Sequence, residues 1–241
     1  MAAEVARDGY EVINLKGEAM HRLRGRMWAL LGDLESYAPE GDITKAQVEA
    51  SKKLHAMPEW RELLRDNAET LKAVVGEELL YQREPYLRIA RPGRREDQVG
   101  IHRDTHYGTS EYEWVLWVAL TDATDGAELR ILPGSHLKPD SAYPWTQEPS
   151  ADCTKGSDKH WLGFRYAPKR MSAEVEAATV PVPCKVGQAI LFNCNAVHGQ
   201  IANAATWTRM SIDIRVVDAR ARIKLDRGVH GDLYEPFLSE S

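Results

Sequence analysis

Three scarcities bound this 241-residue chain before any motif is read. Cysteine occurs only at Cys153, Cys184 and Cys194, with no CxxC pair. A scattered, odd set supplies neither a disulfide framework nor a thiolate zinc site, and suggests a reducing, cytoplasmic compartment. Positive charge is not in excess: 31 Lys and Arg stand against 36 Asp and Glu, a net charge of −5. Without a global basic field, nucleic acid is not an expected partner. Long apolar runs are also missing. The longest, 114–120, falls far short of the ~20 residues a membrane helix needs, so no membrane role is expected. The first twenty residues interleave Glu, Arg, Asp and Lys with apolar residues and hold no signal-peptide core. Internal repeats and low-complexity tracts are absent. What remains is an ordinary composition for a folded soluble protein, sized for one domain over 1–241.

The texture changes near residue 80. Before it, apolar residues recur at helical spacing: Met20, Leu23, Met27, Leu30 and Leu31. Thr44 and Gln47 read as a capping box opening a second helix. Pro58 fits a first helical turn ahead of Trp60, Leu63 and Leu64, and Gly76 fits a stop after Leu71, Val74 and Val75. Residues 1–80 are therefore expected to be helical. Beyond them, strand-like runs at 86–90, 99–104, 114–120, 128–132, 180–182, 188–192 and 209–217 are punctuated by Gly, Pro and Asp. Many short strands covered by leading helices predict a sandwich or barrel over 81–218. The 137–179 stretch, with Trp145, Trp161, Phe164, Arg165 and Tyr166, reads as an insert that serves as lid or substrate wall. Residues 219–241 form a tail.

Chemistry concentrates in two places. In Gly100-Ile101-His102-Arg103-Asp104, residues two apart on a strand share a face, so His102 and Asp104 can converge on one metal ion. Two His and one carboxylate on one side of an octahedron leave three positions open, the pattern of non-haem Fe(II) oxygenases. The third ligand must be distant, and His198, at the end of the apolar run 189–192, is the candidate. His106 extends the two-residue series, but 105–110 is turn-rich, which places it beside the metal or facing substrate. The second place is 209–217, which alternates strictly. Met210, Ile212, Ile214 and Val216 form one face, and Arg209, Ser211, Asp213 and Arg215 the other. If the polar face lines a cavity, Arg209 offers a planar fork for a carboxylate with the Ser211 hydroxyl beside it. Asp213 then takes either Arg209 or Arg215 as its partner.

Together these pieces resemble the phytanoyl-CoA dioxygenase-like branch of the Fe(II)/2-oxoglutarate oxygenases, over about 80–217. The matching parts run in order: LRIARP at 87–92, His102-x-Asp104, the strand 114–120 with an inner Trp117, LRILPGSH at 129–136, GQAILFNCNAVHG at 187–199, and Arg209. Thr208-Arg209-x-Ser211-x-Asp213-x-Arg215 is similar to members from natural-product and amino-sugar pathways. The resemblance implies a double-stranded β-helix, a jelly roll of mainly β (α+β) class flanked by N-terminal helices. It implies Fe(II) on His102, Asp104 and His198, with 2-oxoglutarate and O2 as co-substrates. Arg209, assisted by Ser211 and packed by Trp117, would hold the distal carboxylate. The ligand carboxylate is Asp, where halogenases of the superfamily carry Gly or Ala, so a hydroxylase of a small polar metabolite is implied. Tyr107, Arg88 and Arg130 are the substrate-side candidates, with Tyr112 and Trp114 nearby. Nothing marks a CoA site. Two rival readings remain at this point: a cupin-like isomerase or lyase using His102, His106 and His198, and a silent jelly-roll binding module. Oligomeric state is unreadable.

Overall fold

The computed structural model describes residues 2–41, 43–107, 109–147, 169–221 and 234–237, with side chains from residue 5 and without those of residues 107, 147, 169 and 170. Trp161, Phe164, Arg165 and Tyr166 of the insert, and the Tyr107 side chain, therefore lie outside the described residues. In chain order the elements are α1 (Ala2–Asp8), β1 (Tyr10–Asn14), α2 (Ala19–Leu31), α3 (Ile43–His55), α4 (Glu59–Asp66), α5 (Ala68–Val75), β2 (Leu79–Gln82) and β3 (Tyr86–Ala90). They continue with β4 (Trp114–Ala119), β5 (Leu129–Ile131), β6 (Trp145–Gln147), β7 (Lys169–Met171), α6 (Ala173–Ala178) and β8 (Val180–Val182). The last four are β9 (Gln188–Asn193), β10 (His198–Gly199), β11 (Arg209–Asp218) and β12 (Tyr234–Pro236). No described helix is long and apolar enough to cross a membrane.

Two antiparallel sheets carry the architecture, consistent with the expected jelly roll. The large sheet runs β1-β9-β4-β11-β2-β12, and β3 also pairs with β11. The small sheet runs β10-β5-β8. The alternation of β11 decides what each face of the large sheet does. Met210, Ile212, Ile214 and Val216 are buried in one apolar cluster with Leu23, Met27, Trp60, Leu63 and Leu71 of the helices. The helices thus cover the outer face, as the pattern predicts. The inner face meets the small sheet through Val115, Trp117, Leu129, Ile131, Ile190 and Phe192. A cavity of about 590 Å3, counted to its open mouth, lies between the sheets.

Several expectations need correction. Residues 1–80 are not wholly helical: β1 forms the edge beside β9, and β2 pairs the far end of β11. Each strand is too short to impose a period on its neighbourhood. Thr44 is no cap, because α3 already begins at Ile43. Gln47 is instead buried and donates its amide to the Leu87 carbonyl at 3.0 Å, tying α3 to β3. The 99–104 run is not a strand either. Only His102 pairs, in an isolated bridge with His198, and Asp104 already opens a 3-10 turn, Asp104–Tyr107.

Candidate metal centre

The bridge sets the geometry of the centre. His102 N–H donates to the His198 carbonyl at 2.8 Å, and His198 N–H returns the bond at 2.9 Å. The two backbones come this close because residue 199 is glycine. A Cβ there would lie 2.5 Å from the Gly100 carbonyl oxygen, and its φ of +155° also suits glycine. The imidazoles stand with centroids 4.5 Å apart. Each ring nitrogen Nδ1 faces a carbonyl, His102 to Gly100 at 2.7 Å and His198 to Ala196 at 2.9 Å. A carbonyl can only accept, so Nδ1 carries the proton in both rings and Nε2 is left as a lone pair.

Both Nε2 lone pairs face Asp104 Oδ1, at 3.3 Å for His102 and 3.9 Å for His198. Among the described residues these three buried side chains are the group able to hold a metal, their ligand atoms lying within 4.8 Å of one another. Three electron-rich atoms converging away from water repel one another unless a cation lies between them, so the donor set fits a divalent metal. Burial, and then His102, push the His198 imidazole down to about 4, which keeps it neutral and available. Burial also opposes ionisation of Asp104, but the Arg215 guanidinium holds the carboxyl well below its usual range. Burial pushes the neighbouring Cys194 thiol far up, so it stays protonated beside Asp104.

His106 is not part of this set. The 3-10 turn carries its ring away, and Nε2 bonds Asp140. The turn expected over 105–110 is there, but it takes His106 to Asp140 rather than to the metal set, and the ligand set of the cupin-like alternative is not assembled.

The candidate anion anchor stands on the inner face of β11. Arg209 is 1% exposed. It donates to Ser211 Oγ at 2.8 Å, to Gln200 Oε1, and to Gln98 Oε1 at 3.4 Å, and it lies 5.5 Å from the Trp117 ring centroid. Among the described residues no carboxylate pairs with it. Burial pushes it down to about 10, still charged at neutral pH. The buried amide nitrogen of Gln98 beside it has no acceptor among the described residues. A buried cation whose hydrogen-bond partners are all neutral, with an idle donor beside it, fits a carboxylate.

Other expected residues fall as follows. Asp213 pairs with neither Arg209 nor Arg215; it takes Arg88 of β3 at 2.7 Å, while Arg215 reaches Asp104 Oδ2 at 3.4 Å. Arg88, Asp213, Arg215 and Trp117 line the cavity. Arg130 does not reach it. Leu129 and Ile131 turn inward, so Arg130 faces out and donates to the Thr179 hydroxyl and carbonyl. Tyr112 is exposed and Trp114 half-buried.

Sequence reasoning missed the supports. Arg103, 1% exposed, donates to the carbonyls of Ser135 and Lys138 at 2.7 and 3.0 Å. Ser135 Oγ accepts from Val197 N–H, and Asn195 reaches the His136 carbonyl, both at 2.8 Å. The PGSH turn therefore clasps the segments that carry both histidines. The motif itself was the available signal.

Solved structures share the fold. EvdO2 from Micromonospora carbonacea var. aurantiaca is 16% identical, with TM-score 0.61, over 89% of this chain and 88% of its own. The epimerase SnoN, in complex with Fe3+, alpha ketoglutarate and nogalamycin RO, is 22% identical, with TM-score 0.53, over 90% and 82%. The non-heme monooxygenase ThoJ in its Ni complex is 18% identical, with TM-score 0.53, over 100% and 80%. No curated protein matches the sequence significantly. The profile of phytanoyl-CoA dioxygenase (PhyH) matches residues 6–211, so the chain belongs to the phytanoyl-CoA dioxygenase family.

Proposed function

We propose that the protein is a non-haem Fe(II)/2-oxoglutarate-dependent dioxygenase that hydroxylates a C–H group of a small polar metabolite. The observation that carries this reading is a pairing of two groups about one cavity. Two imidazoles with lone pairs aimed at a carboxylate line it, and a buried arginine whose hydrogen-bond partners are all neutral sits behind the wall formed by Trp117 and Gln200.

His102, Asp104 and His198 hold the iron. When bound, it supplies O2 activation, with 2-oxoglutarate as reductant, converted to succinate and CO2. The chain's own residues do the placing. Arg209 and Ser211 would grip the far carboxylate of the diacid, with Trp117 packed beside them, and the three protein ligands would leave the near end of the diacid access to the metal. The apolar walls from Val115, Leu129 and Phe192 exclude water around the centre. Arg88, held by Asp213, is the substrate-side group at the cavity wall, and Tyr107, directly after the metal motif, is the second candidate. Arg130 is not retained in that role.

Anaerobic addition of Fe(II) and then 2-oxoglutarate should produce a visible charge-transfer band; its absence in metal-loaded protein would remove this reading. SnoN is called an epimerase, and that likeness makes inversion at carbon the second outcome. Product mass separates them: hydroxylation adds one oxygen, epimerisation adds none.

A further inference from the structure

We propose that Arg215 is a positioning residue for the metal-binding carboxylate, braced from behind by Glu113 and by Tyr234 of the C-terminal strand. This rests on the metal-centre reading above. Arg215 and Tyr234 both lie beyond residue 211, outside the part of the chain that matches the family.

Asp104 has two oxygens with different neighbours. Oδ1 faces the two imidazoles, and Oδ2 lies 3.4 Å from Arg215 Nη2. A carboxylate free at both oxygens can swing out of line or chelate with both, and chelation would consume an open metal position. With its far oxygen engaged, Asp104 presents a single ligand atom. Arg215 is placed to do this by its register. It faces Val115 across the β4–β11 ladder, and its backbone N–H donates to Gln82 Oε1 at 3.3 Å.

Behind it stands a second buried acid. Glu113 is fully buried, accepts from Ser110 N–H at 2.8 Å, and accepts the Tyr234 hydroxyl. Burial works against the charge of Arg215, while Asp104 and Glu113 support it. Glu113 precedes Val115, the residue Arg215 faces across the ladder, by two positions, and β12, paired to β2, brings the phenol that bonds its carboxylate. The metal centre is therefore finished by the last described strand of the chain.

Titration of full-length protein with Co(II), by calorimetry and by its d–d absorption, tests this. Arg215→Met should weaken Co(II) binding about tenfold or more and change the band positions or intensities, and Arg215→Lys should recover part of both. Tyr234→Phe should move the same readouts in the same direction by a few-fold. A Met variant with affinity within twofold of wild type and a superimposable spectrum overturns the proposal. So does a variant that loses 2-oxoglutarate affinity alone, which would make Arg215 a ligand contact. If the Met variant does not fold, the Lys and Phe variants decide: unchanged affinity and spectra in both overturn it. Asp104→Ala is the separating control. If it binds Co(II) normally, the metal-centre reading itself falls; if it fails to bind while Arg215 variants are normal, only the present proposal does.

Discussion

The two sheets that face each other across the cavity are built differently. The large one has strands of up to ten residues, and β11 is hydrogen-bonded to β2, β3 and β4. The small one has strands of two or three residues, extended by isolated bridges at His102 and Ala123. Regular pleating lets the large sheet deliver Arg209, Ser211, Asp213 and Arg215 to one face by period alone. The small sheet cannot rely on period. It aims its two histidines with a single backbone bridge, a glycine contact and a clasp of hydrogen bonds from Arg103, Ser135 and Asn195. In the proposed reading, anion holding and metal holding fall to sheets of unlike construction, so mutation should separate them.

The largest separation should come from the metal side. Asp104→Ala or His198→Ala should lower succinate formation about a hundredfold or more, whereas His106→Ala should retain Co(II) binding; calorimetry on all three would show it. Next is the anion side. Arg209→Met should raise the Kd for 2-oxoglutarate about a hundredfold while the Co(II) Kd stays put, since a buried charge partner is worth about 2–5 kcal/mol. A parallel loss of metal would show that the sheets are not independent. Leu191→Ala, in the centre of the large sheet, should cost about 2–5 kcal/mol in urea unfolding without altering metal affinity.

A pH effect sharpens the contrast in the metal-free protein. The His198 value is depressed to about 4, so the native state binds this proton less readily than the unfolded chain does. Its contribution is complete above about pH 6.5 and is lost as pH falls through about 4, a decline of up to about 3 kcal/mol. Wild type should lose more stability than His198→Asn between pH 7.5 and 4.5; parallel losses would contradict this. Smallest is Gly199→Ala, expected to cost about 1–3 kcal/mol and to weaken Co(II) binding by prying the bridge apart. Stability loss with unchanged metal affinity would show that the bridge does not set the site.

Much of the large sheet was legible in the sequence. The strict alternation of 209–217 foretold both its helix-covered face and its cavity face, and 86–90, 114–120 and 188–192 all became its strands. Edges were not legible: β1 and β12 are short and take their conformation from partners far along the chain. The ligand trio was legible as residue types, but the reason given for the convergence of His102 and Asp104, a shared strand face, was not the actual one. Pairing choices were also hidden. Asp213 takes Arg88, its diagonal neighbour on β3, rather than either arginine on its own strand, because a diagonal neighbour is within reach of a long side chain. Arg130 could have been placed from the inward Leu129 and Ile131 that flank it. Arg103, Gln98, Gln200, Glu113 and Asn195 carry no periodic signal, because they stand in loops and act through a few individual hydrogen bonds.

The reciprocal backbone bonds between His102 and His198 have one more consequence. The span between the two nitrogens is a property of the peptide framework rather than of the ion, so the chelating jaw exists before anything occupies it. Stripping with EDTA should therefore empty the jaw without melting the domain around it, and reloading should proceed without refolding.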